Sequence, residues 1–375
     1  MKKNVTTQPS SGPSGHLPPR GEGNHGFPSP LGRGQGEGPE QLQKNLKKPI
    51  LSVLGRTIKN LGRGIPLFFL VVSAQALDSR TGGGSLLETM DARLTALGET
   101  GSTLSGDLSG VTVNPALLVT MDGSQLLTQF NMSPNDVRTG VLAFGRGGSR
   151  FGWDLSVAYL DAGTMNLYPG DGSQSSVKAQ QDYVGSLGMA LAITEWWRVG
   201  ASVKHLNSTL IDDYSAKATA ADAGVLFDLP LDGFRLGGAV QNLGSDLAYK
   251  NEGDPLPRFY RGGLSWQNAP VYDEFSGEES SPWYQRQNIP SRYWVGADAV
   301  ADRWGKVHGC LGFEWDYARL AILRVGGTVG KNENGLTGGF GLHLGTWRLD
   351  YSIQLLDQIS DRHRVTVSKF WKTEK

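Results

Sequence analysis

Beyond residue 123 the apolar residues of this chain recur largely at every second position. The run Trp347-Arg348-Leu349-Asp350-Tyr351-Ser352-Ile353-Gln354-Leu355 puts Trp, Leu, Tyr, Ile and Leu on one face and Arg, Asp, Ser and Gln on the other, and a period of two is strand geometry. Phe151, Trp153, Leu155, Val157 and Tyr159 likewise oppose Asp154, Ser156 and Ala158. Val307, Leu311, Phe313, Trp315 and Tyr317 oppose His308, Glu314 and Asp316. Candidate strands begin near Gln125, Val137, Phe151, Tyr183, Trp197, Ala218, Phe234, Arg258, Tyr293, Val307, Leu320, Leu336, Trp347 and His363, fourteen in all. An apolar wall backed by ionic groups suits either a soluble sandwich or a membrane barrel with a wet interior.

The connections favour the barrel. Outer-membrane barrels begin and end in the periplasm and alternate short inner turns with longer outer loops. With fourteen strands, short inner turns fall at Gly147-Gly148-Ser149, Thr194-Glu195, Leu229-Pro230-Leu231-Asp232, around Tyr317-Ala318 and at Gly345-Thr346; longer outer connections run over 162–181 and 245–256. One inner connection, Asn268 to Ser291, is too long. It holds either a further hairpin, which would give sixteen strands, or a periplasmic contact surface. The last strand ends in Phe370-Trp371, resembling the aromatic-tipped signal read by barrel assembly machinery. Lys369 shares the face of Val365, Val367 and Trp371, close enough to the strand end for its charge to be tolerated.

Ahead of the strands the pattern changes. Residues 1–43 are rich in Gly, Pro and Ser and carry too little apolar surface to order themselves. Residues 44–76 then supply Lys44, Lys47, Lys48, Arg56, Lys59 and Arg63, the apolar run Ile65 to Val72, and Ala74-Gln75-Ala76. This is the order of a secretory signal peptide cleaved after Ala76, and the run is far too short for a membrane helix. A signal preceded by a long tail points to a start codon set too early, with initiation near Leu46 or Val53. Residues 77–122 contain the one helical stripe, Leu86, Leu87, Met90, Leu94 and Leu97, and form an N-terminal plug or hatch. Residues 123–375 form the barrel.

Composition fits this picture. Lys+Arg and Asp+Glu number 36 each and charged residues make up 19%, which gives no electrostatic reason to expect nucleic acid. The 52 glycines lie in part inside strand-like runs, which soluble strands avoid; a closed barrel can use them for curvature and for close approach of plug or ligand to the wall. The single Cys310 excludes an intrachain disulfide and a cysteine-based metal site.

The stretch Ser105-Gly106-Asp107-Leu108-Ser109-Gly110-Val111-Thr112-Val113-Asn114-Pro115-Ala116-Leu117-Leu118 resembles the N-terminal signature of the PorV/PorQ group of outer-membrane proteins, within the larger FadL-like barrel superfamily. The likeness continues through Val199 to Lys204, Ala221-Asp222-Ala223-Gly224, Gln241-Asn242-Leu243-Gly244, Leu256-Pro257-Arg258 with Arg261-Gly262, Leu349-Asp350-Tyr351 and His363 to Val367. The group follows Asn-Pro-Ala with Gly-Leu, and here Leu117 stands at the glycine position. Asn114 before Pro115 is biased to extended backbone, and its amide can close a local turn; with Ala116, the step is expected to end the plug and launch the first strand.

Motifs for catalysis are missing. The six histidines are scattered without metal-ligand spacing, no Gly-x-Ser-x-Gly elbow occurs, and the glycines of 32–38 lack the flanks of a phosphate loop. Glu314 and Asp316 share a face, but inward carboxylates in a barrel are expected to pair with inward arginines such as Arg348 or Arg364. The lumen-facing set is expected to be Asp154, Arg198, Lys204, Arg235, Glu314, Arg348, Asp350 and Arg364. The reading is a non-enzyme without metal or cofactor, sited in the bacterial outer membrane. The resemblance implies two roles: FadL-like transport of hydrophobic small molecules, or a non-channel accessory or shuttle in type IX-like protein secretion. A secreted soluble β-sheet binding protein is the third alternative. The implied partners are outer-membrane lipid, the assembly machinery, and a hydrophobic ligand or secretion-system proteins.

Overall fold

A strand with one apolar and one ionic face must hide the ionic face from lipid and its backbone edges from everything, and closing the sheet on itself does both. The computed structural model describes residues 81–89, 91–132, 137–167, 174–211, 214–268, 291–330, 335–355 and 361–371. The readings made for the tail, the signal peptide and its cleavage after Ala76 lie outside the described residues, as do Met90 and most of the long inner connection. Among the described residues no helix is long and apolar enough to cross a membrane.

The strands are β1 (Gly123–Met132), β2 (Arg138–Gly147), β3 (Phe151–Asp161), β4 (Thr164–Leu167), β5 (Ser175–Lys178), β6 (Gln180–Ala192), β7 (Trp197–Leu210), β8 (Tyr214–Asp228) and β9 (Phe234–Gly244). They continue as β10 (Leu247–Ala248), β11 (Gly253–Asp254), β12 (Phe259–Gln267), β13 (Ser291–Asp302), β14 (Val307–Tyr317), β15 (Ala321–Val329), β16 (Leu336–Leu344), β17 (Trp347–Leu355) and β18 (Arg362–Trp371). Fourteen of these form a closed antiparallel barrel. β4 with β5, and β10 with β11, are small hairpins in the connections after β3 and β9. The barrel closes by pairing β1 with β18, from Ser124 opposite Trp371 to Met132 opposite His363. β12 pairs directly with β13, Phe259 opposite Asp302, so the long inner connection inserts no strand into the wall and the sixteen-strand alternative is set aside.

Alternation along each strand sorts side chains between two environments. Leu155, Leu187, Val203, Leu311, Leu323 and Val325 point outward and are roughly half exposed. Asp154, Lys204, Asp298, Glu314, Arg324 and Asp350 alternate with them and are buried. Trp347 and Trp371 lie on the outer face near one rim, with the Lys369 ammonium 5.0 and 5.1 Å from their ring centroids. That cation–π seat gives the outward lysine a polar partner at the rim.

The interior is filled by residues 81–122. Gly82 and Gly83 lie against Leu247, Asp254 and Leu256, at the barrel end holding the β9–β12 connection. Strand β1 starts at the opposite end. The segment therefore runs through the lumen from end to end. The helical stripe is a correction: it is not one helix but a 3-10 turn, Gly84–Leu87, and a separate helix, Ala92–Ala96. Asp91 sits between them in extended backbone and accepts from the Leu94 amide at 2.6 Å, and such a cap begins a new helix rather than continuing the old one.

The helix ends in a Schellman turn. Gly98 (φ 64°) donates to the Thr95 carbonyl and Glu99 to that of Leu94. A Cβ at Gly98 would also strike the Gly327 backbone, and one at Gly312 would lie 2.7 Å from the Leu97 carbonyl oxygen. Glycine in these wall strands lets backbone meet backbone. A further 3-10 turn, Pro115–Thr120, follows Asn114; the Asn-Pro-Ala step thus launches this turn, while β1 begins only at Gly123. Leu117, at the resemblance's glycine position, is fully buried in it. Leu117 and Leu118 pack in one cluster with Leu127, Val141, Ala190 and Leu226 of the wall, while Leu94, Leu97, Leu104 and Val113 gather round Trp294.

Candidate functional site: the lumen between inner segment and wall

Two residues of the inner segment and four of the wall close a ring of ions. Arg93 Nε and Nη2 each donate to Glu314 at 2.8 Å. Arg324 Nε donates to the same carboxylate at 2.7 Å, and its Nη1 to Asp350 at 2.7 Å. Arg348 Nε donates to Asp350 at 2.6 Å and its Nη2 to Asp107 at 2.7 Å. Asp107 lies 2.8 Å from Arg93 Nη1, which completes the circuit. Within the ring each arginine touches two carboxylates and each carboxylate two arginines, and Glu314 also lies 3.8 Å from Arg292 outside it. The ring is neutral, and its desolvation is compensated only while all six members are present.

The inner-segment members titrate accordingly. Burial alone would raise the Asp107 carboxyl, but Arg93 and Arg348 hold it well below the usual carboxylate range. Burial works against the Arg93 charge, and Asp107 and Glu314 outweigh it, so its proton is held more tightly than usual. Asp91 is close to this ring but outside it. Burial, then the Asp107 charge, pushes its carboxyl up to about 6.

A second network ties the opposite wall together. Lys204 Nζ lies 2.6 Å from Asp222 and donates to Asn242 Oδ1 at 3.2 Å. Asp222 also accepts from the Asn242 amide at 2.8 Å, and the Asn242 side chain donates to the Pro257 carbonyl at 2.9 Å. Asn242 has φ 58° and lies where the β8–β9 register shifts between Ala221 and Ala223, a bulge that re-aims side chains. Four motifs of the resemblance, those containing Lys204, Asp222, Asn242 and Pro257, thus meet at one bulge. A third tie joins Asp298 to Arg261 at 3.1 Å and to the amides of Gly101 and Ser102 at 2.9 and 3.0 Å.

The residues singled out from sequence separate into groups. Glu314, Arg348 and Asp350 come together in the ring. Arg364 is buried apart from it, 2.8 Å from Glu88 and donating to Thr95 Oγ1 at 2.6 Å. Glu314 pairs with Arg93 and Arg324 rather than with Arg348 or Arg364, because Arg324 faces it across the β14–β15 register. Asp154 is buried beside Leu118, and its Oδ1 has no protein hydrogen-bond partner. Arg198 and Arg235 sit lower, at the partly exposed inner rim, where both pair with Asp228 at 2.7 Å. Asn114 is fully buried; it accepts from the Ala116 amide at 3.1 Å and donates to the Ser102 and Val225 carbonyls at 2.8 and 2.9 Å. Arg93, Arg324 and Asp298 were missed, and Asp107 and Arg261 stood only as members of resemblance motifs, without a role. Arg324 could have been found, since it alternates with Leu323 and Val325.

Between inner segment and wall, toward the end where the chain enters, lies a cavity of about 90 Å³. Leu86, Leu94, Val113, Phe259 and Val300 give it an apolar side, and Glu88, Glu99, Lys204, Gln241, Arg261 and His308 a polar one. Exposed Leu87 borders it. Among the described residues no group of three or more His, Cys, Asp or Glu is arranged to hold a metal ion.

No protein-family profile and no curated protein matches the sequence. Solved structures do. The toluene transporter TbuX of Ralstonia pickettii is 13% identical with a TM-score of 0.52, the match covering 76% of this chain and 99% of that one. The monoaromatic hydrocarbon channel CymD is 13% identical with a TM-score of 0.50, covering 76% and 98%. A deltaS2 mutant of the TodX monoaromatic hydrocarbon channel is 12% identical with a TM-score of 0.50, covering 77% and 100%. These are transporters and channels of the FadL fold; the PorV/PorQ likeness rests on the motifs alone. At such identities the match concerns architecture, and it shows that this chain folds as a closed fourteen-stranded barrel of that type.

Proposed function

We propose that this chain spans a bacterial outer membrane as a plugged barrel and passes hydrophobic small molecules through its lumen. The observation that carries the reading is the part-apolar cavity held between the inner segment and the wall, a place where a small apolar molecule can leave water without meeting an open pore. The outward belt of Leu, Val and aromatic side chains supports the membrane setting, as do the names of the similar structures, a toluene transporter and a hydrocarbon channel. Outer-membrane lipid would cover the belt, and the aromatic-tipped β18 would present the assembly signal. The lumen polar residues act here as anchors: Glu314, Arg348, Asp350 and Arg364 of the wall fix the inner segment, which serves as the plug, and Asn114 fixes its turn. The secretion-accessory alternative calls for long ordered outer loops, and the described outer connections contain two small hairpins.

Membrane fractionation of producing cells, followed by uptake of labelled toluene, tests the reading. A barrel needs detergent for extraction, migrates differently on gels before and after heating, and raises initial uptake over cells lacking it. Extraction by salt alone would remove the proposal.

A further inference from the structure

We infer that Thr112 is the gate of the lumen: a molecule in the cavity described above moves toward the periplasm by displacing the Thr112 side chain. The inference rests on the transport reading and names a residue that sets its rate. A deeper space lies between inner segment and wall, about 20 Å³ in volume, room for about one water. Leu108, Val111, Leu127, Val141 and Ala143 give it apolar walls, and Asp91, Ser109, Asp154 and Ser156 polar ones. The two spaces sit at different depths. Lys204, Gln241, Phe259, Val300 and His308 of the first lie in the outer halves of their strands, whereas Leu127, Ala143 and Asp154 of the second lie in the inner halves of theirs. Among the described residues Thr112 alone lines both.

Thr112 differs from its neighbours in the chain. From Asp107 to Val119 every residue is buried except Thr112, which is partly exposed. Its backbone is pinned: the carbonyl accepts from Gln241 Nε2 at 3.0 Å, and the amides of Val113 and Asn114 both donate to the Gly110 carbonyl, at 3.0 and 2.9 Å. What can move is a short side chain that turns about a single bond between staggered positions. Another small space abuts the deeper one at Val141, but Val141 is buried in one cluster with Leu127 and Ala143, and a close-packed side chain yields less readily. A residue fixed at its backbone and free at its side chain opens by a rotamer change, without undocking the segment that carries it.

The test measures the initial rate of labelled toluene uptake by cells producing each variant, with heat-modifiable protein in the membrane fraction as the check on folding. Thr112→Phe overfills the constriction and is expected to lower the saturable rate about ten-fold or more. Thr112→Ala widens it and should raise the rate about two-fold or more. Thr112→Cys supplies a block applied after folding: benzyl methanethiosulfonate should silence uptake in that variant and dithiothreitol restore it, while the parent, whose one cysteine is buried, should be unaffected. An unchanged rate in folded T112F, failure of the reagent to react at residue 112, or a larger rise in Val141→Ala than in T112A would overturn the inference and leave the transport reading standing. Absence of saturable uptake by the parent would overturn both.

Discussion

Arg93 and Glu314 are 221 residues apart in sequence and meet in a two-pronged pair, Nε to Oε2 and Nη2 to Oε1, both at 2.8 Å. One belongs to the segment inside the barrel and the other to its wall, so this contact measures how firmly the two are joined. Removing one partner strands a buried charge, which typically costs about 3–5 kcal/mol. Arg93→Met and Glu314→Gln should therefore each free the inner segment, read as faster cleavage between residues 81 and 122 by added protease. The double variant should be less damaging than the sum of the two, because neither charge is left alone. Additive losses would mean that the ring is not a unit.

Asp91 gives the docked segment a pH dependence of unusual sign. Its carboxyl is raised to about 6 when docked, against about 3.9 in an unfolded chain, so the docked state favours the protonated form. Its contribution is fully favourable below about pH 4, falls as pH rises to about 6 and is constant above that, a loss of order 3 kcal/mol. Asp107, held low, acts oppositely: its stabilisation is present above about pH 4 and is lost as pH falls further. Protease resistance of the inner segment should thus decline between about pH 4 and 6. Asp91→Asn, which keeps a capping side chain, should flatten that decline.

Wall glycines form the seat of the Asn114 turn. A Cβ at Gly224 would strike Asn114 Oδ1, and one at Gly200 the backbone of Pro115 and Ala116, whereas at Gly262 nothing lies within 4 Å. Gly200→Val and Gly224→Val should displace the turn and destabilise the barrel by about 1–3 kcal/mol or more. Gly262→Ala should stay within about 1 kcal/mol of the parent. Urea unfolding in detergent checks the contrast.

The two faces of one strand make opposite predictions. Leu311 is outward at the middle of β14 and Glu314 inward on the same strand. Leu311→Arg should cost about 2–4 kcal/mol if the outer face meets lipid and lower the yield of heat-modifiable protein in the membrane. Glu314→Arg should leave the lipid face intact and instead break two pairs of the ring, those with Arg93 and Arg324. Equal tolerance of both changes would contradict the assignment of faces.

The barrel was legible because its period of two is local. Trp347 to Leu355 declares two faces without knowledge of its neighbours, and short turns such as Gly345-Thr346 fix strand parity. The lumen was half legible. Glu314, Arg348 and Asp350 stand out as ions on an otherwise apolar alternation, but their partners Arg93 and Asp107 lie in the inner segment, where no period reveals which way a side chain points. The Asp91 cap split a stripe that looked continuous, since one hydrogen bond at a boundary outweighs a weak periodicity. Lys204, Asp222, Asn242 and Pro257 were each noticed as parts of motifs. That they share one bulge depends on a register shift with no sequence mark of its own.

The central claim is that a plugged barrel admits apolar small molecules at an outer membrane. Its most direct test is the initial rate of labelled toluene uptake by cells with a lipopolysaccharide outer leaflet, comparing those that produce this chain with those that do not. The account predicts a several-fold increase, saturable by excess unlabelled compound. An equal rate, with the protein shown to be folded in the membrane, would contradict it.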